Sequence, residues 1–380
     1  MREAYIVSAV RTPTGRRKGM FSEVLPIDLA VAVLQAAVAK AELEPAQVED
    51  VIFGCVTPIR EQGANIARMA VLKAGFPVEV PAVTLNRMCG SSQQAVHFAA
   101  QAILAGDMDL VLTGGVEHMT RVPMGSDYPD HWPPMPQKLV SQGISAELIA
   151  EKWGIPRTEL DRFGYESHRK AARATENGTF QTEILPISVP DGDGGTRTVT
   201  VDEGIRFDAD LEKMAALRTV FKEDGVITAG NSSQISDGAA ALMVASGEAV
   251  KKFGLKPLAR VHARAVVGSD PVLMLEGVIP ATRLVLDRAG LTLDDMDVIE
   301  VNEAFASVVL AWMKALHPDS DRVNPNGGAI ALGHPLGASG ARVMTTLVHE
   351  MVRRGAQWGM QTMCIGYGMA TATVLEGMPF

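Results

Sequence analysis

Ala37–Val56 reads AVAKAELEPAQVEDVIFGCV, and Val285–Ala304 reads VLDRAGLTLDDMDVIEVNEA. In each, an apolar helical stretch ends in Ala-x-Leu, a short acidic linker follows, and a buried strand begins. Ala41 and Leu43 match Ala289 and Leu291 at one offset. A helix–linker–strand unit that recurs in this way implies two related α/β halves, although two unrelated units of the same kind also give such a likeness.

Outward from the first copy, Tyr5–Val10 is predicted as a strand and Asp28–Ala41 as a helix with apolar residues at Leu29, Val33, Leu34, Ala37 and Val38. Val48–Val56 and Leu110–Gly114 follow as buried strands, with an Ala-rich helix, Gln93–Ala105, stopped by Gly106. Strands alternating with helices imply a mainly parallel sheet covered on both faces. From Met119 the texture changes. Asp127–Pro136 is a proline-rich loop with His131 and Trp132, then helices are predicted at Ala146–Trp153 and Arg157–Asn177, then the turn Asp191–Gly195. The division expected is 1–118 for the first half, 119–230 for an inserted loop domain, 231–254 for a return to the first half and 255–380 for the second.

Composition removes several classes of function. Of 380 residues, 47% are hydrophobic and 21% charged, which excludes general disorder. The net charge of −9 argues against a nucleic-acid surface. The basic run Arg11, Arg16, Arg17 and Lys18 reads as a solvated loop. Three cysteines, Cys55, Cys89 and Cys364, make no disulfide framework and no zinc pair, so a reducing, cytoplasmic location and no metal are expected. No apolar run suits a membrane span or a signal peptide.

Chemistry gathers in four short stretches. Asn86-Arg-Met-Cys-Gly-Ser-Ser92 puts Cys89 at a strand-to-helix junction, where free backbone N–H groups and the helix dipole are expected to lower its pKa. The same residue is equally readable as a buried structural cysteine. Asn326–Gly340 carries five glycines around His334 and lacks the lysine of a phosphate loop. Cys364 lies beside glycines at a strand end. Asn302-Glu303 follows the apolar run Val298–Val301, at the position where α/β proteins bind ligands, or else serves as a turn and helix cap.

Taken in order, these stretches resemble the thiolase family. The likeness runs from Ile6-Val-x-Ala-x-Arg-Thr-Pro13 through Gly114-Gly-Val-Glu-His-Met119, Thr228–Ser233, Ser236-Asp-Gly-Ala239, Asn302-Glu-Ala-Phe305 and Gly327-Gly-x-x-x-x-Gly-His-Pro335 to Cys364-Ile-Gly366. The detail is most similar to the degradative 3-ketoacyl-CoA thiolases of β-oxidation and their acetoacetyl-CoA relatives. The resemblance implies a five-layered α-β-α-β-α fold and a homodimer or homotetramer, paired through a first-half edge strand near Leu110–Gly114 or its neighbours. It implies thiolysis of 3-oxoacyl-CoA by coenzyme A, a co-substrate, with no bound cofactor. Cys89 is then the nucleophile and His334 its activator. Asn302 holds an oxyanion-hole water, and Cys364 is the acid/base. The amides of Cys89 and Gly366 form a second oxyanion hole.

The family further implies CoA contacts at Arg206, Ser233, Ala304 and Phe305, Arg206 being alternatively a surface ion-pair residue. Cys55 is expected in the core, and His118 in a structural role or at the active-site floor. The chain departs from the family at Tyr367 and Ala370, where glycines are usual, which makes Tyr367 an acyl-pocket candidate; the segment Arg121–Gln142 is short and proline-rich. A biosynthetic acetoacetyl-CoA thiolase, a β-ketoacyl synthase and a catalytically dead CoA-binding homologue are the alternatives. Cys364 and the Gly-His-Pro motif disfavour the synthase, and the intact set of four disfavours the dead homologue.

Overall fold

The computed structural model describes residues 2–379; Met1 and Phe380, the outer limits of the two expected halves, lie outside the described residues. The chain opens with β1 (Ala4–Arg11), β2 (Gly15–Arg16), α1 (Pro26–Lys40), β3 (Asp50–Gly54), α2 (Ile66–Lys73), β4 (Ala82–Leu85), α3 (Ser91–Ala105) and β5 (Leu110–His118). The middle holds α4 (Gln142–Lys152), α5 (Arg157–Glu176), β6 (Ile187–Pro190), β7 (Thr196–Val199) and α6 (Leu211–Ala215). Then come β8 (Ser236–Ser246), α7 (Gly247–Phe253), β9 (Ala259–Gly268), α8 (Val278–Ala289), β10 (Val298–Val301), α9 (Ala306–Leu316), α10 (Ala329–Leu332), α11 (Leu336–Arg354), β11 (Trp358–Ile365) and β12 (Met369–Gly377).

Local chemistry sets these bounds. Pro26 begins α1 with a preset φ, and Asp28 sits in its first turn, near the positive end of the dipole. Gly106, at φ +91°, ends α3 in a left-handed cap.

The strands stand in the order β10-β11-β12-β9-β1-β8-β5-β3-β4. The first half contributes β1-β8-β5-β3-β4 and the second β9-β12-β11-β10. In chain order the first half's β1, β3, β5 and β8 stand as first, fourth, third, second. The second half's β9, β10, β11 and β12 stand in the same arrangement. Among the described residues, strands of the two halves pair only at Tyr5↔Arg260 and Ile6↔Ala259. The repeated sequence unit is α1 leading to β3 and α8 leading to β10, equivalent positions in the two arrays.

The expected mainly parallel sheet is corrected. Parallel pairs are confined to β3–β4, β3–β5 and β10–β11, and the remaining ladders are antiparallel. For one of these ladders the reason is connection length. β11 and β12 are joined by a three-residue turn, which permits only an antiparallel partner.

Burial defines five layers. Leu29, Val33 and Leu34 of α1 share a core with Val51, Phe53 and Leu112 on the outer face of the first array. Val285 of α8 and Trp312 of α9 do the same on the second with Ile299 and Val374. Between the arrays lie α3 and α11, where Val96, Ile103, Met344 and Leu347 meet Ile6, Val244 and Leu375. Residues 336–348 of α11 are buried on every face, as a central helix requires.

The middle segment is more than a loop domain. Ala146, Ile149 and Leu160 of α4 and α5 belong to the second half's core beside Phe305 and Val309. The segment's longest stretch without helix or strand is 119–141, and 200–210 and 216–235 are also irregular.

Arg11 is also corrected. It ends β1 rather than lying in a solvated loop, and its fully buried guanidinium pairs with Glu183 at 2.6 Å and Asp202 at 2.7 Å. Arg16, Arg17 and Lys18 are exposed.

Candidate active site

Cys89 stands one residue before Gly90, the N-cap of α3. The turn is held by its own polar groups. Asn86 Oδ1 accepts from Met88 N at 2.8 Å, and Ser91 Oγ donates to Met88 O at 2.6 Å. Met88 takes a left-handed φ of +46°. A Cβ on Gly90 would lie 2.3 Å from Ile365 Cδ1, so a glycine here lets the Cys89 turn approach the strand that carries Cys364.

His334 occupies the equivalent place in the second half, one residue before Pro335, the N-cap of α11. Its amide donates to Ser236 Oγ at 3.0 Å, and its Nδ1 lies 2.5 Å from Ser339 Oγ. The Ser339 hydroxyl is 2.8 Å from Pro335 O, which can only accept. The single hydroxyl proton therefore goes to Pro335 O, Ser339 Oγ accepts from Nδ1–H, and the lone pair of His334 lies on Nε2. Asn302 Nδ2 sits 3.5 Å from that Nε2 and 3.7 Å from Cys364 Sγ. Asn302 follows β10 and is anchored by its own amide to Thr362 O of β11 at 3.0 Å. The N-cap of α9 is Phe305, so Asn302 is not a helix cap.

Electrostatically the set is dry. Burial pushes the Cys89 thiol up to about 11, while the nearby Gln142 side chain and Gly366 amide pull it down. The expected lowering of Cys89 is thus reversed, because desolvation of the thiolate outweighs the dipoles around it. Burial, then the nearby Cys89, lifts Cys364 to about 12, against the bond from Asn302. Burial, then Arg342, drops His334 to about 3. In the free site both sulfurs are thiols and the imidazole is neutral.

A cavity of about 630 Å³ opens on Cys89 and is walled by Gly366, Phe305 and Tyr367 among others. Cys364, Asn302 and His334 lie buried behind that wall. Much of the remaining lining comes from the proline-rich loop, through Tyr128, Trp132 and Met135. A larger cavity, about 930 Å³, lies where α1, α5 and α11 end; Lys40, Arg173, Arg353 and Arg354 face those helix C-termini, and no cysteine lines it.

The other expected positions divide. Ser233 N donates to Ala304 O at 2.9 Å; Phe305, the next residue, lines the cavity, and Ser233 and Ala304 stand outside that lining. Arg206 is exposed on a separate turn, outside the cavity lining, with its amide on His168 Nδ1 at 3.1 Å. Cys55 is core; burial, then Glu117, raises its thiol well above the usual value. His118 is buried between Phe21 O and Asp237, away from the cavity, in a structural position.

Sequence inspection missed three residues. Gln142 reaches Cys89 from α4, and nothing in the chain signals it. Ser339 sits one helical turn past Pro335, a spacing that could have been read. Glu117 is fully buried and accepts from Val56 N, Gln62 Nε2 and Gly337 N at 2.8–2.9 Å, joining the strand end after β3 to the first turn of α11. Among the described residues no cluster of His, Cys, Asp and Glu suits a metal ion. No helix among them is long and apolar enough to cross a membrane.

A doubled α/β array with a cysteine and a histidine before its two central helices, and a second cysteine beside them, defines an enzyme of thiol-based acyl transfer. Residues 4–248 match the family model "Thiolase, N-terminal domain", and residues 255–377 match "Thiolase, C-terminal domain". The chain belongs to the thiolase family. It is 46% identical to the steroid 3-ketoacyl-CoA thiolase FadA6 of Mycobacterium tuberculosis, over 99% of this chain and 94% of that protein. It is also 46% identical to the 3-ketoacyl-CoA thiolase of Idiomarina loihiensis, over 99% and 100%. Crystal structures of human mitochondrial 3-ketoacyl-CoA thiolase and of Bacillus anthracis acetyl-CoA acetyltransferase each superpose with a TM-score of 0.93 at 38% identity, covering 100% of this chain and 99% of theirs.

Proposed function

We infer that the chain is a thiolytic acyltransferase: 3-oxoacyl-CoA and CoA give an acyl-CoA shortened by two carbons and acetyl-CoA. The observation that carries this reading is the hydrogen-bonded group of Asn302, His334 and Cys364 immediately behind a Cys89 that opens on an apolar cavity.

In this reading Cys89 Sγ attacks the 3-oxo carbon and its proton passes to His334 Nε2, the lone-pair nitrogen. Because the free thiol is lifted and the imidazole lowered, transfer accompanies bond formation rather than preceding it. The bond between the second and third acyl carbons breaks, and its electron pair forms the enolate of acetyl-CoA. Cys364 protonates that enolate at carbon. CoA then attacks the acyl-Cys89 thioester, its thiol proton passes to the Cys364 thiolate, and Cys89 Sγ leaves with the proton held on His334, so that both cysteines and the imidazole return to their starting states. The amides of Cys89 and Gly366 stabilise one oxyanion. His334, once protonated, and a water held by Asn302 stabilise the other; Asn302 Oδ1 accepts no bond from the protein.

CoA enters past Phe305, Ser233 and Ala304, with Arg206 toward its phosphates, and residues 119–230 carry most of that surface. Acetoacetyl-CoA synthesis is the same chemistry reversed. A cytoplasmic site of action fits three unbridged cysteines. We assign a homodimer through β4, which pairs only with β3 and is the free edge of the first array. β5, the strand named from sequence, lies between β3 and β8 and is corrected to an interior strand.

The test follows the loss of 3-oxoacyl-CoA enolate absorbance on adding CoA. Wild type consumes it. Cys364→Ser accepts an acyl group from acyl-CoA but loses carbon–carbon cleavage, and Asn302→Ala slows turnover by about 10²-fold. Near-normal thiolysis by Cys364→Ser would overturn the acid/base role.

A further inference from the structure

The names of the relatives do not agree on an acyl tail, and the cavity wall bears on it. Tyr128, Trp132 and Tyr367 form a chain of rings. Centroids lie 6.0 Å apart between Tyr128 and Trp132, at 66°, and 6.0 Å apart between Trp132 and Tyr367, at 58°. The first pair meets edge to face and the second is tilted, so the three rings support one another. The guest surface is their outer faces. Tyr128 and Trp132 each keep 48% of their surface open, although both line the cavity that holds Cys89. Met124 and Met135 flank them on the same loop, also exposed and also in the lining.

Tyr367 fixes where this wall stands. It lies one residue after Gly366, whose amide stands beside Cys89, so its ring starts within one residue of the reacting sulfur. Its backbone is left-handed, at φ +64°, between Gly366 and a Gly368 at +79°. A tyrosine held in that conformation costs about 1 kcal/mol or more that a glycine would avoid. A strained aromatic beside the nucleophile, braced by a second ring, is a candidate specificity element.

We propose that Tyr128, Trp132 and Tyr367 form an aromatic wall for the acyl tail, and that the substrate class is 3-oxoacyl-CoA whose tail carries a ring. The proposal rests on the thiolase reading above. A ring gains edge and face contacts with Trp132 and Tyr128 beyond its buried area, and thioether sulfurs at Met124 and Met135 add to them. A linear chain gains the area alone, and it loses more rotamer freedom when it is ordered.

The experiment measures kcat/KM for thiolysis of 3-oxo-5-phenylpentanoyl-CoA and 3-oxoundecanoyl-CoA, which match in carbon number, and of acetoacetyl-CoA. The expected result is a preference of about tenfold for the phenyl substrate over the linear one, the upper range of an aromatic contact. Trp132→Ala should cut that ratio about tenfold. Tyr367→Gly should also cut it, and it places glycine where the backbone favours glycine, so loss of folding is not the explanation. Equal or better use of the linear substrate overturns the proposal while leaving the thiolase reading in place. A ratio unmoved by both variants also overturns it. No CoA-dependent loss of any of the three overturns both.

Discussion

Ser339 has one proton and two acceptors within reach, and that scarcity orients the base. With its hydroxyl committed to Pro335 O, its oxygen holds Nδ1–H of His334 and leaves Nε2 to take a proton. When His334 becomes positive the same bond is charge-assisted, worth roughly 1.5–3 kcal/mol. Ser339→Ala should therefore lower kcat by roughly 10–100-fold with little change in KM for CoA, and Ser339→Thr should restore most of it. A rise in KM alone would make Ser339 merely structural. A second histidine gives a pH test. His97, bonded to Thr373 Oγ1 at 2.7 Å, is dropped to about 3 by burial, then by Arg264. The unfolded chain binds its proton near pH 6.5 and the folded one does not, so this group withdraws stability as pH falls below 6.5. Urea unfolding should show that His97→Gln costs about 2 kcal/mol less at pH 5 than at pH 7; an equal cost would mean that His97 is charged when folded. Cys89, Cys364, His334 and Asn302 were legible because glycines and strand ends flag them. Gln142 was not, because its position depends on how α4 packs, which no local pattern records. The resting state of Cys89 was misread for a related reason: dipoles are visible in a sequence, and desolvation is not.

Among the elements, β1 shows what a buried charge does to a fold. Arg11 ends the strand and ties it to two points of the middle segment, Glu183 and Asp202, with Phe180 under the guanidinium. Replacing Arg11 by Met leaves two buried carboxylates without their cation, and such a break costs roughly 3–5 kcal/mol. Chemical denaturation should show that loss as a lower midpoint with an unchanged slope; a loss below 1 kcal/mol would mean the carboxylates find other partners. The basic run at 11–18 concealed this, since adjacent arginines look alike until burial separates them. Helix ends were readable because Gly106 and the Asn177-Gly178 pair mark them. Strand direction was not, because the segment between β5 and β8 is long enough to return the chain either way.

For the whole molecule, doubling explains both the fold and the site. Each half repeats one strand order, and each sends a central helix inward with a reactive residue just before its N-cap, Cys89 on α3 and His334 on α11. Stacking the halves brings these two helix starts together with the end of β11, and the second cysteine comes with them. The repeat of helix, linker and strand was visible in the sequence, while the five layers came from the family resemblance. The proposed association surface belongs to this scale. Val83 on the edge strand β4 is 45% exposed, with Met69 and Leu72 of the neighbouring α2 also exposed, an apolar edge of the kind that a second copy covers. Val83→Lys should shift the light-scattering mass toward the monomer at micromolar concentration, and an unchanged dimer would place the interface elsewhere. The central claim is an acyl group on Cys89. It is tested most directly by mixing the enzyme with acyl-CoA, quenching in acid and mapping the peptides by mass spectrometry. The account predicts an acyl adduct on Cys89 that disappears on adding CoA; an adduct on Cys364 or Cys55, or none in an enzyme that still performs thiolysis, would contradict it.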